Sequence, residues 1–288
     1  MATAQRPHLG AALTILAMFS FASLDAMTKL LVADYPITQT LWVRAWVFMV
    51  FALAIARKRG IARTARSARP WLQGGRALLG MVESAVFVLA FFYLPLADTH
   101  ALAATSPLMV IAISQVFLGE RAGLRRWLAV AAGFAGVMLI IRPGFQELSL
   151  PLLLPLGGAL LWAIYQVLIR LCAATDPPET TLLWTAGVGL LVTTIAGPWQ
   201  WRAPDAAAWA LLIVMALMGS IGHYALVRAL DFAKAASVQP YSYTLLVFAA
   251  VLGLLVFGQM PDGFTIAGAL IVVAGGLYTW WLDRGAGG

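Results

Sequence analysis

"VFLGERAG" (residues 116–123) and "LVFGQMPDG" (residues 255–263) are the two stretches that decide the fold. Each one ends a long apolar run with a glycine, a polar residue and a turn. The first carries Glu120 and Arg121 after its glycine, whereas the second carries Gln259 and Met260. Two similar endings that differ in charge indicate that they face different surroundings.

The composition requires lipid as the solvent for most of the chain. The 288 residues are 62% hydrophobic and 11% charged, whereas a soluble domain has about 25% charged residues. The mean hydropathy is +0.88. The net charge of +7 would indicate nucleic acid in a soluble protein, but here the basic residues cluster between apolar runs, as cytoplasmic anchors do. Membrane lipid is therefore the expected partner, and nucleic acid is not.

The apolar runs predict an all-α integral membrane protein with ten transmembrane helices, because a spanning helix needs about 20 mainly apolar residues. Turn-forming Pro, Gly and Asp residues separate the runs. The predicted spans are 9–32, 38–56, 71–94, 97–118, 122–141, 151–171, 179–198, 207–230, 236–257 and 263–282. These spans leave no room for a soluble domain.

Basic residues cluster around the loops that follow the second and fourth spans, with nine of the 19 Lys and Arg residues of the chain. These nine are Arg57, Lys58, Arg59, Arg63, Arg66, Arg69, Arg121, Arg125 and Arg126. Since Lys and Arg accumulate on the cytoplasmic side, the sequence predicts a multi-pass membrane protein with both termini in the cytoplasm.

An internal repeat explains the two different endings. At an offset of 141 residues Asp25 corresponds to Gln166, and at 139 residues Gly136 corresponds to Gly275. The repeats are predicted at residues 1–147 and 148–288, with five helices each. Because five is odd, the second copy enters the membrane from the opposite side, and its turn at Gln259 becomes external. Inverted repeats are typical of secondary transporters.

The chain resembles the EamA-type members of the drug/metabolite transporter superfamily over essentially its whole length. The resemblance rests on "FLGER" (117–121), "SVQPYSYTLLVFAAVLGLLVFGQMPD" (237–262) and "IAGALIVVAGGLYTWW" (266–281). Members usually place Glu in both turns, and this chain has Gln259 in the second, which we expect to be dispensable for transport. The many aromatic residues resemble bacterial exporters of aromatic amino acids (the YddG type).

This resemblance implies export of aromatic or neutral amino acids, or of similar small amphipathic metabolites, by alternating access. It implies no cofactor and a monomer or weak dimer. Export of drug-like compounds is the alternative. An intramembrane enzyme is disfavoured because HExxH and GxSxG are missing, and a channel because no selectivity filter repeats. Without a P-loop, ATP is not expected to drive transport directly.

Charged residues inside spans cost about 2.5–3.5 kcal/mol each on insertion scales, so each needs a partner or a function. Asp25 and Lys29 share a helix face and either neutralise each other or place Lys29 against a substrate carboxylate. Arg44 and Glu83 either pair or leave Glu83 to bind an amino group. Arg76 shares a face with Glu83.

Six residues inside the spans are the candidate substrate-binding residues, because the solute of an inverted-repeat transporter lies near the midplane. They are Glu83, Trp162, Tyr165, His223, Tyr241 and Tyr243. Trp162 and Tyr165 lie on one helix face and form either a cavity wall or bundle packing. His223 is either a hydrogen-bonded structural residue or a proton switch.

Overall fold

A computed structural model of the chain describes residues 7–106, 108–110, 113, 124–141, 150–173, 175–232 and 241–285. Within these residues every regular element is helical. The α-helices are α1 (Pro7–Asp34), α2 (Ile37–Ala56), α3 (Ile61–Ala65), α4 (Pro70–Tyr93), α5 (Leu96–Ala103), α6 (Leu124–Ile141), α7 (Leu153–Ala173), α8 (Pro178–Ala196), α9 (Ala206–Phe232), α10 (Thr244–Phe257) and α11 (Gly263–Gly285). The turn at Glu120 and Arg121 lies outside the described residues.

Every predicted span overlaps one of these helices. Six helical segments are long and apolar enough to cross a membrane, namely His8–Asp34, Ile37–Ala56, Pro70–Tyr93, Leu150–Ile169, Pro178–Gln200 and Ala206–Ala229. The shorter apolar helices are Trp127–Ile141, Thr244–Phe257 and Gly263–Tyr278. The all-helical membrane fold is thus confirmed, and the count of ten spans stays a prediction.

Prolines begin several of the helices, at the positions where the sequence predicted breaks. Pro36, Pro95 and Pro177 are the residues just before α2, α5 and α8, and Pro70 is the first residue of α4. Proline suits these positions because the first N–H groups of a helix have no intrahelical acceptor. These prolines therefore fix where each span starts.

The turn after α10 is the described member of the pair of similar endings. Gly258 has φ +64°, a left-handed conformation that glycine adopts without strain. The backbone N–H of Gln259 donates to the carbonyl of Gly253 at 3.0 Å. The side-chain Oε1 of Gln259 is buried, so this residue is tied more closely to the helix end than a solvated polar turn would require. Its dispensability stays a prediction.

The main helix contacts join the first part of the chain to the second. Helix α1 packs most extensively on α9, α4 on α7, α2 on α8, and α6 on α11. The contacts of α1 with α9 and of α4 with α7 are related by exchange of the two halves. The same holds for α2 with α9 and α4 with α8. The interior of the bundle is consequently the boundary between the halves.

Helices α6 and α11 approach so closely that side chains are excluded at their crossing. A Cβ added at Gly136 would lie 2.7 Å from the Gly268 carbonyl oxygen, and one added at Gly275 would lie 3.0 Å from the Ala129 oxygen. At the 139-residue offset, Gly136 corresponds to Gly275 and Ala129 to Gly268. Small residues allow such tight helix packing in membranes, and these two contacts are related by exchange of the halves.

Candidate functional site: a cavity between the two halves

A large cavity lies among the helices of the described bundle. Helices α1, α2, α4, α5, α7, α8 and α9 line it, together with the beginning of α10. The centre of a water molecule can move through about 210 Å³ of it, whereas one water needs about 10–15 Å³ on this measure. The cavity therefore has room for an organic molecule.

Aromatic rings form much of the cavity wall. Trp162 and Tyr165 on α7 stack with ring centroids 5.4 Å apart and an interplanar angle of 23°. On another side, the His223 imidazole lies 5.2 Å from the Phe21 ring and 5.6 Å from the Phe48 ring. Flat apolar walls with a few polar groups are typical of sites for small organic ligands.

Arg44 and Glu83 both line the cavity but do not form the predicted pair. Both side chains are partly exposed, and the surface they expose faces the cavity. In the described part of the chain, no Arg44 nitrogen lies within 4 Å of a Glu83 oxygen. The two charges interact at longer range. Of the two alternatives, the direct ion pair is therefore not the one found among the described residues.

Asp25 and Lys29 also find different partners from those expected. The Asp25 Oδ2 lies 3.2 Å from the Nε2 of His100 on α5, in a contact whose angles do not make a directed hydrogen bond. The Lys29 ammonium donates to the carbonyl of Phe91 at 2.8 Å and to that of Leu94. Lys29 thus caps the last carbonyls of α4, which attract a cation, rather than neutralising Asp25.

A dense polar network adjoins the cavity at Tyr165. Arg76 is fully buried, and its guanidinium donates to the Tyr165 hydroxyl at 2.9 Å, to the Gln73 amide oxygen at 3.1 Å, and to the Thr181 carbonyl at 3.1 Å. It also donates to the Thr185 hydroxyl at 2.9 Å. This network joins α4 of the first half to α7 and α8 of the second.

Asp176, in the loop between α7 and α8, accepts the hydrogen bonds at the end of this network that is farthest from the cavity. Its carboxylate accepts hydrogen bonds from the Ser67 hydroxyl, from the Ala68 backbone N–H at 2.9 Å and from the Gln73 amide at 2.9 Å. Burial by itself would raise the pKa of Asp176, but these three donors favour the charged form and together hold the pKa below its usual value. The loop between α2 and α4 is thereby fastened to the second half.

Most of the predicted site residues line the cavity. They are Asp25, Arg44, Glu83, Trp162, Tyr165, His223 and Tyr243. The Tyr243 hydroxyl is buried without a hydrogen-bond partner in the described chain. Tyr241 is 37% exposed and lies outside the lining, as do Lys29 and Arg76. Whether any of these residues binds a substrate stays a prediction.

Three residues that matter to this arrangement were missed as site residues in the sequence. His100 lines the cavity beside Asp25, although its position after a proline turn indicated the membrane surface. Gln73 and Asp176 form the polar network with Arg76. The spacing of Gln73 and Arg76, three residues apart, places them on one helix face and was the signal available. Nothing in the sequence indicated that Asp176 would meet them.

A membrane bundle with a ligand-sized, aromatic cavity between two packed halves is the architecture of a solute transporter. A family comparison gives the same class: the description "EamA-like transporter family" matches residues 8–142 and again residues 149–281. The chain belongs to this family, and the resemblance drawn from its sequence is confirmed.

Curated relatives that align with most of this chain's length carry the names of transporters. A riboflavin transporter of Rhizobium johnstonii is 31% identical over 280 residues, covering 95% of this chain and 91% of that protein. The pseudopaline exporter CntI of Pseudomonas aeruginosa is 29% identical, covering 92% and 93%. An S-adenosylmethionine uptake transporter of Rickettsia bellii is 22% identical, covering 94% and 93%. These names agree with a transporter rather than an enzyme.

A crystal structure of another protein has the same fold. It superposes with a TM-score of 0.67 and covers 97% of this chain and 99% of its own, at 20% sequence identity. The similarity supports the helical arrangement described above and carries no information on the substrate.

Proposed function

We propose that the protein is a secondary transporter that moves a small, aromatic, amphipathic solute through the central cavity by alternating access. The observation that carries this proposal is the position of the cavity, between the two halves, combined with its aromatic wall and its few charged groups. Two mirrored halves that rock about such a site expose it first to one side and then to the other.

The moving units of the proposal are the two inverted repeats, residues 1–147 and 148–288, with ten spans in all. Two observations support this division. The family description matches twice, once in each half. The paired crossings of Gly136 with Gly268 and of Ala129 with Gly275 are those that a two-fold exchange of the halves produces.

The substrate proposal has two branches. Export of aromatic or neutral amino acids is what the sequence resemblance implies, and the stacked Trp162 and Tyr165 support a ring-bearing solute. The names of the relatives, which include uptake and export, favour other metabolites such as riboflavin. The ring is the feature that an aromatic amino acid and riboflavin share.

Counterflow in proteoliposomes tests the proposal. Vesicles are loaded with unlabelled tryptophan, phenylalanine, alanine, riboflavin or S-adenosylmethionine, and entry of the labelled compound is followed. We expect transient accumulation of at least one aromatic solute and little of alanine. Product formation would instead indicate an enzyme, and single-channel current a channel. Absence of counterflow for every solute, with folded protein in the vesicles, would overturn the proposal.

We also propose that both termini are cytoplasmic in the bacterial inner membrane. Reporter cysteines at Ala62 and Met260 test this orientation, after Cys172 has been replaced by serine. An impermeant maleimide should label position 260 from the outside and position 62 only after the cells are opened. Labelling of both positions from one side would refute the inverted repeat.

A further inference from the structure

Arg44 is a positive charge within a membrane span whose hydrogen-bonding groups the protein leaves unused. It lies in α2 and lines the cavity. A guanidinium has five N–H donors. In the described part of the chain, Arg44 has neither a hydrogen bond to another group nor an ion pair within 4 Å. Since a charge inside a span is costly unless it is paired or solvated, its acceptors come from what fills the cavity, either water or a solute.

Arg76 is a buried arginine whose contacts are all structural, and it serves as a comparison for Arg44. Four different groups, on three helices, accept hydrogen bonds from it, and it exposes no surface. Arg44 has no such set of acceptors and exposes its surface to the cavity. The contrast indicates that the two arginines have different tasks.

The carboxylates near Arg44 do not replace a ligand. Glu83 and Asp25 both act on Arg44 electrostatically, but neither touches it. Asp25 lies against His100. Arg44, Glu83 and Asp25 line one cavity, and the same cavity reaches the stacked rings of Trp162 and Tyr165.

We infer that Arg44 binds an anionic oxygen group of the transported solute, a carboxylate or a phosphate, while the solute's ring lies against the aromatic wall. This inference rests on the transport function proposed above and narrows its substrate class to aromatic acids. The planar fork of a guanidinium fits the two oxygens of a carboxylate, or two of a phosphate, through parallel hydrogen bonds. An uncharged ring compound such as riboflavin lies outside this class.

Three indoles test the inference on the unaltered protein. Tryptophan has a carboxylate and an ammonium, indole-3-propionate has only the carboxylate, and tryptamine has only the ammonium. We expect tryptophan and indole-3-propionate to bind at least 10-fold more tightly than tryptamine, measured by equilibrium dialysis of the protein in detergent. Flavin mononucleotide against riboflavin repeats the comparison for a phosphate. The inference would be overturned if tryptamine bound as tightly as indole-3-propionate, or more tightly, and riboflavin as tightly as flavin mononucleotide, or more tightly.

Substitutions at Arg44 assign the preference to this residue. In Arg44→Gln we expect binding of tryptophan to weaken about 10- to 100-fold, the range for losing a charge-assisted pair, while tryptamine changes less than about 3-fold. Arg44→Lys keeps the charge without the fork and should retain part of the preference. A preference for the acids that is unchanged in Arg44→Gln would overturn the assignment.

A double substitution distinguishes ligand binding from simple neutralisation of Glu83. Indole-3-propionate is the ligand for this test, because it has no ammonium that Glu83 could bind. If Arg44 serves only as a counter-charge, Arg44→Gln combined with Glu83→Gln should restore the binding of indole-3-propionate, and that result would contradict the inference. If Arg44 holds the solute's anion, the double variant should stay deficient. Should no solute show counterflow while dialysis still shows Arg44-dependent binding, the transport proposal fails and the anion site remains. If counterflow occurs without any dependence on Arg44, the transport proposal stands and the inference of an anion site fails.

Discussion

The cavity around Arg44 and the network around Arg76 are two polar regions of one bundle. Among the described residues, only the arginine of the second region has hydrogen-bond partners. Every polar contact of Arg76 is made by the chain itself, across the boundary between the halves. In the cavity, by contrast, Arg44 has neither a hydrogen bond nor an ion pair within 4 Å among the described residues. Buried polar groups are normally satisfied, so the incomplete region is where a ligand belongs and the complete region is where the halves are fastened together.

The largest expected effect is on stability, and it separates the two regions directly. Arg76→Gln removes the donor shared by Tyr165, Thr181 and Thr185 and leaves buried acceptors unpaired. We expect a loss of about 2–5 kcal/mol of folding free energy, because each buried acceptor left unpaired costs about 1–3 kcal/mol. Thermal unfolding in detergent, followed by size-exclusion chromatography, measures it. Arg44→Gln is the matched variant and should unfold near the wild-type temperature; a larger drop for Arg44→Gln would reverse the comparison.

The next effect is on recognition within the cavity. Trp162→Ala removes one of the two stacked rings, so an aromatic solute loses a ring contact of about 0.5–1.5 kcal/mol beyond burial. We expect the affinity for tryptophan to fall about 2- to 10-fold, with little change for alanine. Competition counterflow with both amino acids measures the ratio. If both solutes lose affinity equally, Trp162 supports the bundle and is not part of a recognition wall.

Tyr165 belongs to both regions, and a single atom separates its roles. Tyr165→Phe keeps the ring in the cavity and removes the hydroxyl that accepts a hydrogen bond from Arg76. We expect stability to fall by about 1–3 kcal/mol, the range for a hydrogen bond to a charged group, with the preference for aromatic solutes unchanged. Unfolding and counterflow measured on the same preparation test both parts. Loss of aromatic preference without loss of stability would assign the hydroxyl to the cavity.

The smallest effect is the pH dependence of the stability that Asp176 contributes. The folded state lowers the pKa of Asp176, so its contribution is complete above the ordinary Asp pKa of about 3.9. It is lost as the pH falls through the lowered, folded value. Between pH 6 and pH 3 the unfolding temperature of the wild type should fall more than that of Asp176→Asn. Parallel curves for the two proteins would show that Asp176 adds no acid-sensitive stability.

Local sequence signals predicted the helices well and the charge partners poorly. Apolar runs and prolines such as Pro36 and Pro95 specify where a span starts, because the cost of unpaired backbone in lipid acts within one segment. Trp162 and Tyr165 were placed on one face by spacing alone. The partners of Lys29 and Arg44 depend on distances between helices far apart in the chain. Lys29 reaches a helix end 62 residues away, and no local pattern encodes such a contact.

The central claim is that the cavity is an alternating-access site, and cysteine accessibility tests it most directly. Ala104 lines the cavity and is partly exposed, whereas Ala52 is buried and lies outside the lining; each is replaced by Cys in a Cys172→Ser background. An impermeant maleimide is applied to vesicles of either orientation, with and without a solute that shows counterflow. The account predicts that Ala104→Cys is labelled from both sides and that the solute slows labelling, while Ala52→Cys stays unlabelled. Labelling of Ala104→Cys from one side only, unaffected by the solute, would contradict the account.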